Sequence, residues 1–271
     1  MTGHVLVPTD FFGIGPSALW CAALAFGLFQ AVRLARVRGL DERIAYLSAA
    51  AAIAGGLVIA QGPGLLATPM SLAGWFDSAA GAKSFYVGTA GGAALAAFVL
   101  RLAGRPIAAY FDVFVPALLA AYAVGRVGCF VNGDDFGTLT NIPWAVVYPP
   151  GSEPYAAHLA NGWISSASAA SRAIHPVQLY SAIAALAIRC APAIRRPRRP
   201  GDALVAFAIG YGLCRLGIET FRADTMAASG VLSVAQSFSV ALAGAGLAAW
   251  VARSRQHGPE CAPVPLSPVW R

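Results

Sequence analysis

With 58% hydrophobic and only 11% charged residues among 271, and a mean hydropathy of +0.64, the chain falls far outside the soluble class, where about a quarter of residues are charged. The composition excludes a soluble globular domain and sets the fold class as all-α, a polytopic membrane protein. The net charge of +7 rests on arginine, Lys83 being the sole lysine, and the arginines gather between apolar segments. That pattern points to anionic membrane lipid and away from nucleic acid.

A membrane helix needs about 20 mostly apolar residues. The first such run is 13–32; residues 1–12 lack a basic start and a small-residue cleavage site, so this run is expected to stay as a helix. The second is 44–60. Residues 62–80 are apolar but broken by Pro63, Pro69 and several glycines, which predicts a re-entrant or interfacial loop. Helices are then expected over 85–102, where three glycines in 88–92 allow close packing or backbone approach to a ligand, and over 108–124. Residues 130–174 carry Trp144, Tyr148, Pro149, Pro150, Tyr155 and Trp163, a stretch too short and too rich in Pro, Gly and Ser for a core of its own. It reads as a small arm or head outside the membrane. Further helices follow at 176–193 (weaker, with Tyr180, Ser181 and Arg189), 203–221 and 231–251. The expected organisation is one transmembrane domain over 1–255, with 130–174 as an extracytoplasmic insertion and a disordered, proline-rich cytoplasmic tail over 256–271.

Orientation follows from the basic clusters. Arg33, Arg36, Arg38 and Arg43 lie between the first two helices, Arg101 and Arg105 between the third and fourth, Arg195, Arg196, Arg198 and Arg199 between the fifth and sixth, and Arg253 and Arg255 after the last. Seven helices, N-terminus outside and C-terminus cytoplasmic, satisfy every cluster. Five cysteines show no paired metal spacing, and neither a disulfide framework, a metal nor a cofactor is expected.

The polar residues are concentrated. Gly125-Arg126-Val127-Gly128-Cys129-Phe130-Val131-Asn132-Gly133-Asp134-Asp135-Phe136-Gly137 follows an apolar run and crowds charge among glycines, which suits a lipid head group at membrane depth. Arg215, Glu219 and Arg222 stand four and three residues apart, so they share a helix face with Tyr211. They form either a structural ion pair or an anion cradle, since guanidinium forks match phosphate oxygens. Asp112 either pairs with an arginine or caps the start of its helix, the cap being the commoner use. In His175-Pro176-Val177-Gln178-Leu179-Tyr180, Pro176 suits a first helical turn while His175 and Gln178 can face a cavity; the histidine is as readily a structural hydrogen-bonder.

These blocks carry a resemblance. GRVGCFVNGDDFG with Pro143-Trp144 and Pro149, HPVQLY at 175–180, YGLCRLGIETFR at 211–222 and LSVAQSFS at 232–239 resemble, in order, the blocks of bacterial prolipoprotein diacylglyceryl transferases. The similarity runs over about residues 13–252. It implies a multi-pass enzyme of the bacterial plasma (inner) membrane, active in lipoprotein biosynthesis without a cofactor. Such enzymes move the diacylglyceryl group of phosphatidylglycerol onto the lipobox cysteine thiol of a prolipoprotein. By resemblance, Arg126, Arg215, Glu219 and, at the place of a usual histidine, Tyr86 are the catalytic candidates, with Arg222 beside the arginines on the phosphate. Asn132, Gly133, Asp134, Gly137 and Cys129 belong to the head-group loop, and Asp112, His175, Gln178 and Tyr180 to the surrounding cavity. The chain departs from the family pattern at several of these places: Tyr86 stands where a histidine is usual, Cys129 for asparagine, Asp134 for glutamate, Trp20-Cys21 for Trp-Tyr, and Ser181 for glutamate. The departures leave open a divergent paralogue that binds phospholipid or lipoprotein without the standard transfer, or with a changed acceptor.

Overall fold

The computed structural model describes residues 5–8, 16–60, 85–223 and 232–255. In chain order it holds β1 (Val5–Leu6), α1 (Pro16–Val37), α2 (Glu42–Ala60), α3 (Phe85–Leu102), α4 (Ile107–Asn132), β2 (Val146–Val147), α5 (Glu153–Ala160), α6 (Val177–Cys190), α7 (Pro192–Arg195), α8 (Asp202–Glu219) and α9 (Val234–Arg255). Each of the seven expected helical stretches contains a helix. Of these, α1, α2, α4 and α9 are long and apolar enough to cross a membrane, and α3 and α6 are shorter apolar helices. Large apolar side chains such as Phe29, Leu57, Ile183, Leu213 and Trp250 point outward, as a lipid environment demands. The expected re-entrant loop at 62–80 and the tail at 256–271 lie outside the described residues.

The chain divides into two compact units, Phe26–Ala117 and the pair Met1–Ala25 with Leu118–Arg271. In the first, α2 and α3 pack through small residues: a Cβ at Gly92 would sit 2.5 Å from the Ala52 carbonyl oxygen, and one at Gly56 2.9 Å from that of Gly88. Asp41 caps α2, its Oδ1 accepting from the Arg43 and Ile44 amides at 3.0 and 3.3 Å. The other oxygen pairs with Arg105 at 3.0 Å, which brings two of the basic turns to one end of this unit. Ala35, Ala45, Leu100, Tyr110 and Val113 form the core there.

Of the two readings of Asp112, the helix cap is excluded. Helix α4 begins at Ile107, so Asp112 sits in its second turn, 3% exposed, with its carbonyl accepting from Arg38 Nη1 at 3.0 Å. Burial lowers the Arg38 pKa while the nearby Asp112 charge opposes that shift.

In the second unit α8 and α9 lie against each other, Gly212 so close that a Cβ would stand 2.7 Å from the Ser239 carbonyl. Asp202 at the start of α8 pairs with Arg253 at the end of α9 at 3.2 Å. A small core forms at the arm from Val7, Val146, Tyr148 and Ile174, with Phe130, Phe136 and Leu139 against them. It needs the N-terminal strand, since β1 pairs in parallel with β2. This two-residue ladder is a small departure from an all-helical fold. Tyr148 donates to the Phe130 carbonyl at 2.7 Å, satisfying an acceptor that the end of α4 leaves open.

Candidate anion site at the end of the fourth helix

Helix α4 runs to Asn132, two turns past the end of the expected apolar span, so Arg126, Cys129 and Asn132 are helical rather than in a loop. Glycine permits this extension because α1 needs the space: a Cβ at Gly125 would stand 2.7 Å from the Trp20 ring. Four residues apart on one face, Tyr122 places its ring 5.0 Å from the Arg126 guanidinium. Arg126 is 7% exposed. The helix ends on Gly133 at φ +83°, and Asp135 follows at φ +54°, the left-handed region that aspartate tolerates better than most residues.

This double reversal turns the Asp135 carboxylate back onto two arginines. Its Oδ2 accepts from Arg126 Nη1 at 2.6 Å and its Oδ1 from Arg222 Nη2 at 2.6 Å. Burial pushes this carboxyl up, but the Arg222 hydrogen bond and the charges of both arginines outweigh it and hold Asp135 well below the usual carboxylate range.

Helix α8 supplies the other side. Glu219, 2% exposed, binds Arg215 Nη2 at 2.6 Å through Oε2, and the same oxygen lies 3.8 Å from Arg222 Nε. Ser233, just before α9, donates to Glu219 Oε1 at 3.4 Å. The backbone ties this group to the turn: Gly137 bridges Arg222, Thr138 N donates to the Phe221 carbonyl at 2.8 Å and Ala223 N to that of Phe136 at 3.2 Å. Any Cβ at Gly137 would run into the His175 carbonyl and, at 2.8 Å, the His175 Cβ. Gly137→Ala is therefore expected to cost about 1–3 kcal/mol. A thermal melt in detergent checks this, and an unchanged midpoint would mean that the turn is not packed as described.

Asp134 sits between these elements. Asn132 Nδ2 donates to its Oδ2 at 3.1 Å, and Gln178 Nε2, on α6, to its carbonyl at 2.8 Å. Burial raises the Asp134 pKa against the Asn132 hydrogen bond. The Cys129 sulfur lies 4.0 Å from Arg126 Nη1. Arg126 Nε, Asp134 Oδ1 and Gln178 Oε1 are buried without a hydrogen-bond partner among the described residues. Native interiors leave few such atoms, and three on touching elements suit a polar ligand.

His175 and Tyr180 form an aromatic knot beside this site. Trp144 Nε1 donates to the Tyr180 hydroxyl at 2.9 Å, and that hydroxyl lies 3.2 Å from His175 Nδ1. An indole only donates, so the Tyr180 oxygen accepts from it, while the Tyr180–His175 hydrogen bond takes its direction from the histidine tautomer. Burial lowers the His175 pKa and favours the neutral ring. Phe221, the neighbour of Arg222, packs 5.0 Å from the imidazole.

Of the residues expected from sequence, Arg126, Cys129, Asn132, Gly133, Asp134, Gly137, Gln178, Arg215, Glu219 and Arg222 come together, with His175 and Tyr180 adjacent. Asp112 belongs to the other unit. The Tyr86 side chain lies outside the described residues. Asp135 and Tyr122 were not foreseen. Asp135 had charge as its only signal, whereas the spacing of Tyr122 from Arg126 could have revealed it. Among the described residues no three His, Cys, Asp or Glu side chains gather as a metal site.

A family model described as prolipoprotein diacylglyceryl transferase matches residues 17–252. A phosphatidylglycerol–prolipoprotein diacylglyceryl transferase of Rhizobium leguminosarum bv. trifolii (strain WSM2304) is 32% identical over 148 residues, 52% of this chain and 46% of that protein. One of the same name from Legionella pneumophila (strain Lens) is 29% identical over 180 residues, 64% and 63% of the two chains. Another, from Shewanella sp. (strain ANA-3), is 30% identical over 161 residues, 58% and 52%. The chain spans between about half and just under two thirds of the length of these relatives.

Proposed function

From its membership in the prolipoprotein diacylglyceryl transferase family, to which this chain belongs, we propose that it moves a diacylglyceryl group from phosphatidylglycerol to the lipobox cysteine of a prolipoprotein. The observation that carries this reading is the meeting of Arg126 from α4 and Arg222 from the end of α8 on one two-oxygen anion, each contact 2.6 Å.

The reaction breaks the bond between the diacylglyceryl carbon and a phosphate oxygen as the thiol sulfur attacks that carbon. The thiol loses its proton and glycerol phosphate departs, so negative charge builds on the leaving phosphate. Fixed donors aimed at developing charge in a dry site are the strongest catalytic device available. Arg126 and Arg222 hold the phosphate, and Arg215 adds positive charge behind them. Glu219 fixes the Arg215 fork and stands beside Arg222, so neither guanidinium has to reorganise during the step. Asn132, Asp134 and Gln178 line the head-group side, where the open acceptors Asp134 Oδ1 and Gln178 Oε1 suit glycerol hydroxyls. Gly133 and Gly137 shape the turn, and His175 and Tyr180 form the wall next to it. Tyr86 stands where relatives of this type usually carry histidine, and Cys129 and Asp134 replace asparagine and glutamate.

Seven membrane crossings, with the N-terminus and the arm outside and the C-terminus in the cytoplasm, are supported by the pairing of basic turns. Arg105 meets Asp41, and Arg199 Nη1 donates to the Arg253 carbonyl at 3.4 Å. The bacterial plasma membrane supplies both proposed substrates.

The test is transfer by the purified chain in nanodiscs, with labelled phosphatidylglycerol and a lipobox peptide. The peptide should gain the mass of one diacylglyceryl group, and a serine-for-cysteine peptide should gain none. The departures at Tyr86, Cys129 and Asp134 support a second reading, a relative that holds phospholipid without this transfer. Rescue of a strain depleted of its own transferase would refute it.

A further inference from the structure

We propose that Asp135 is an internal anion that occupies the phosphate position of the arginine cradle and swings out when a phosphate ester enters. The inference rests on the lipid-phosphate reading above and adds a competing occupant to it. A carboxylate and a phosphodiester each offer two terminal oxygens and one negative charge, so either can span the pair Arg126 and Arg222. The exchange leaves the charge of the cradle unchanged. Among the described residues three guanidiniums (Arg126, Arg215, Arg222) are bridged by the Asp135 and Glu219 carboxylates, with the Asp134 carboxyl close by, and the phosphate takes the place of Asp135.

The geometry separates Asp135 from the rest of the network. Glu219 is sealed, its side chain 1% exposed, whereas that of Asp135 is 37% exposed and is not enclosed by other protein atoms on that side. The backbone on either side is tied, Asp134 to Gln178 and Phe136 to Ala223, while the Asp135 side chain is held at its tip by the two arginines. A rotation about χ1 therefore releases the carboxylate without unfolding the turn, and such rotations are fast at exposed positions. Asp135 also leaves capacity unused: the buried Nε–H of Arg126 has no acceptor among the described residues, and a phosphate ester carries further oxygens. Mild acid does not open the bridge. A carboxyl depressed by its partners contributes stability above the ordinary aspartate value, about 3.9, and loses it only as pH falls through the lower folded value. Across physiological pH a competing anion is what releases it.

A cradle that is self-occupied most of the time binds its ligand more weakly by the fraction of time it is free. Asp135→Asn is near-isosteric and removes the charge, so it is expected to tighten binding about tenfold or more. The measurement is titration of the full-length chain in detergent with short-chain phosphatidylglycerol, inorganic phosphate, glycerol phosphate and diacylglycerol. Tightening for phosphatidylglycerol alone supports displacement by a lipid head group, and tightening also for the soluble anions supports displacement by any phosphate. Unchanged or weaker binding by Asp135→Asn, with binding lost in Arg126→Ala, would overturn the inference and make Asp135 a fixed staple. Absence of phospholipid binding by the wild-type chain would overturn the functional reading and this inference with it. The wild-type chain gives a check that needs no variant. Carbodiimide labelling of Asp135, followed by mass spectrometry, should rise several-fold at saturating phosphatidylglycerol but not with diacylglycerol, and no rise would also sink the proposal.

Discussion

Arg126→Ala is expected to lower the rate of diacylglyceryl transfer by about two to three orders of magnitude. The residue is buried at the end of α4, backed by the Tyr122 ring, and supplies one of the two 2.6 Å contacts to the bridging carboxylate. When phosphate is the bound anion, that donor meets charge that grows as the carbon–oxygen bond breaks, so the loss belongs mainly in kcat rather than in KM. Arg126→Lys keeps the charge but loses the planar fork and much of the contact with the tyrosine face, and is expected to recover only part of the rate. Initial rates in nanodiscs at several phosphatidylglycerol concentrations check both statements. Alanine at wild-type rate would remove Arg126 from the chemistry. A purely higher KM would make it a binding residue that does not distinguish ground state from transition state.

Glu219→Ala is expected to damage the fold as well as the reaction. Its side chain is 1% exposed and stands between Arg215 at 2.6 Å and Arg222 at 3.8 Å. Removing one partner of a buried pair leaves an uncompensated charge and costs about 3–5 kcal/mol. For a chain of this size that corresponds to a midpoint lower by roughly 10 °C or more. Glu219→Gln keeps shape and a hydrogen-bonding oxygen, so its melting loss should be smaller while its loss of transfer remains large, since the arginine forks are no longer fixed. Thermal unfolding in detergent, run beside the transfer assay, separates the two. If Glu219→Ala melts like the wild-type chain, the buried network is not what holds α8 in place.

The helices and one face of the site are legible in the sequence because both are local. An apolar run near 20 residues has few alternatives to a helix in lipid, where every backbone group needs an internal partner. Residues four and three apart must share a helix face, which places Arg215, Glu219 and Arg222 together before any packing is known. The basic turns are equally readable, since arginine is costly inside the bilayer. Less was legible where a local rule has two outcomes. The glycines at 125 and 128 follow the expected apolar run, yet the helix runs on through them, and Trp20 and Leu19 fill the space that their missing side chains leave. Asp112, at the edge of an apolar run, could cap a helix or pair with an arginine, and the cap is excluded only because α4 starts five residues earlier and buries it beside Arg38.

By itself, then, the sequence determined a polytopic helical protein of the diacylglyceryl transferase kind, with Arg215, Glu219 and Arg222 on one helix face and Arg126 on another element. What only the tertiary structure decided is the meeting of Arg126 and Arg222, 96 positions apart, on the carboxylate of Asp135. Two left-handed residues, Gly133 and Asp135, aim that side chain, and Gly137 lets the chain pass against His175. A turn has no repeat to betray which way its side chains point. Its direction is set by long-range packing, here of α6 and α8 against the end of α4.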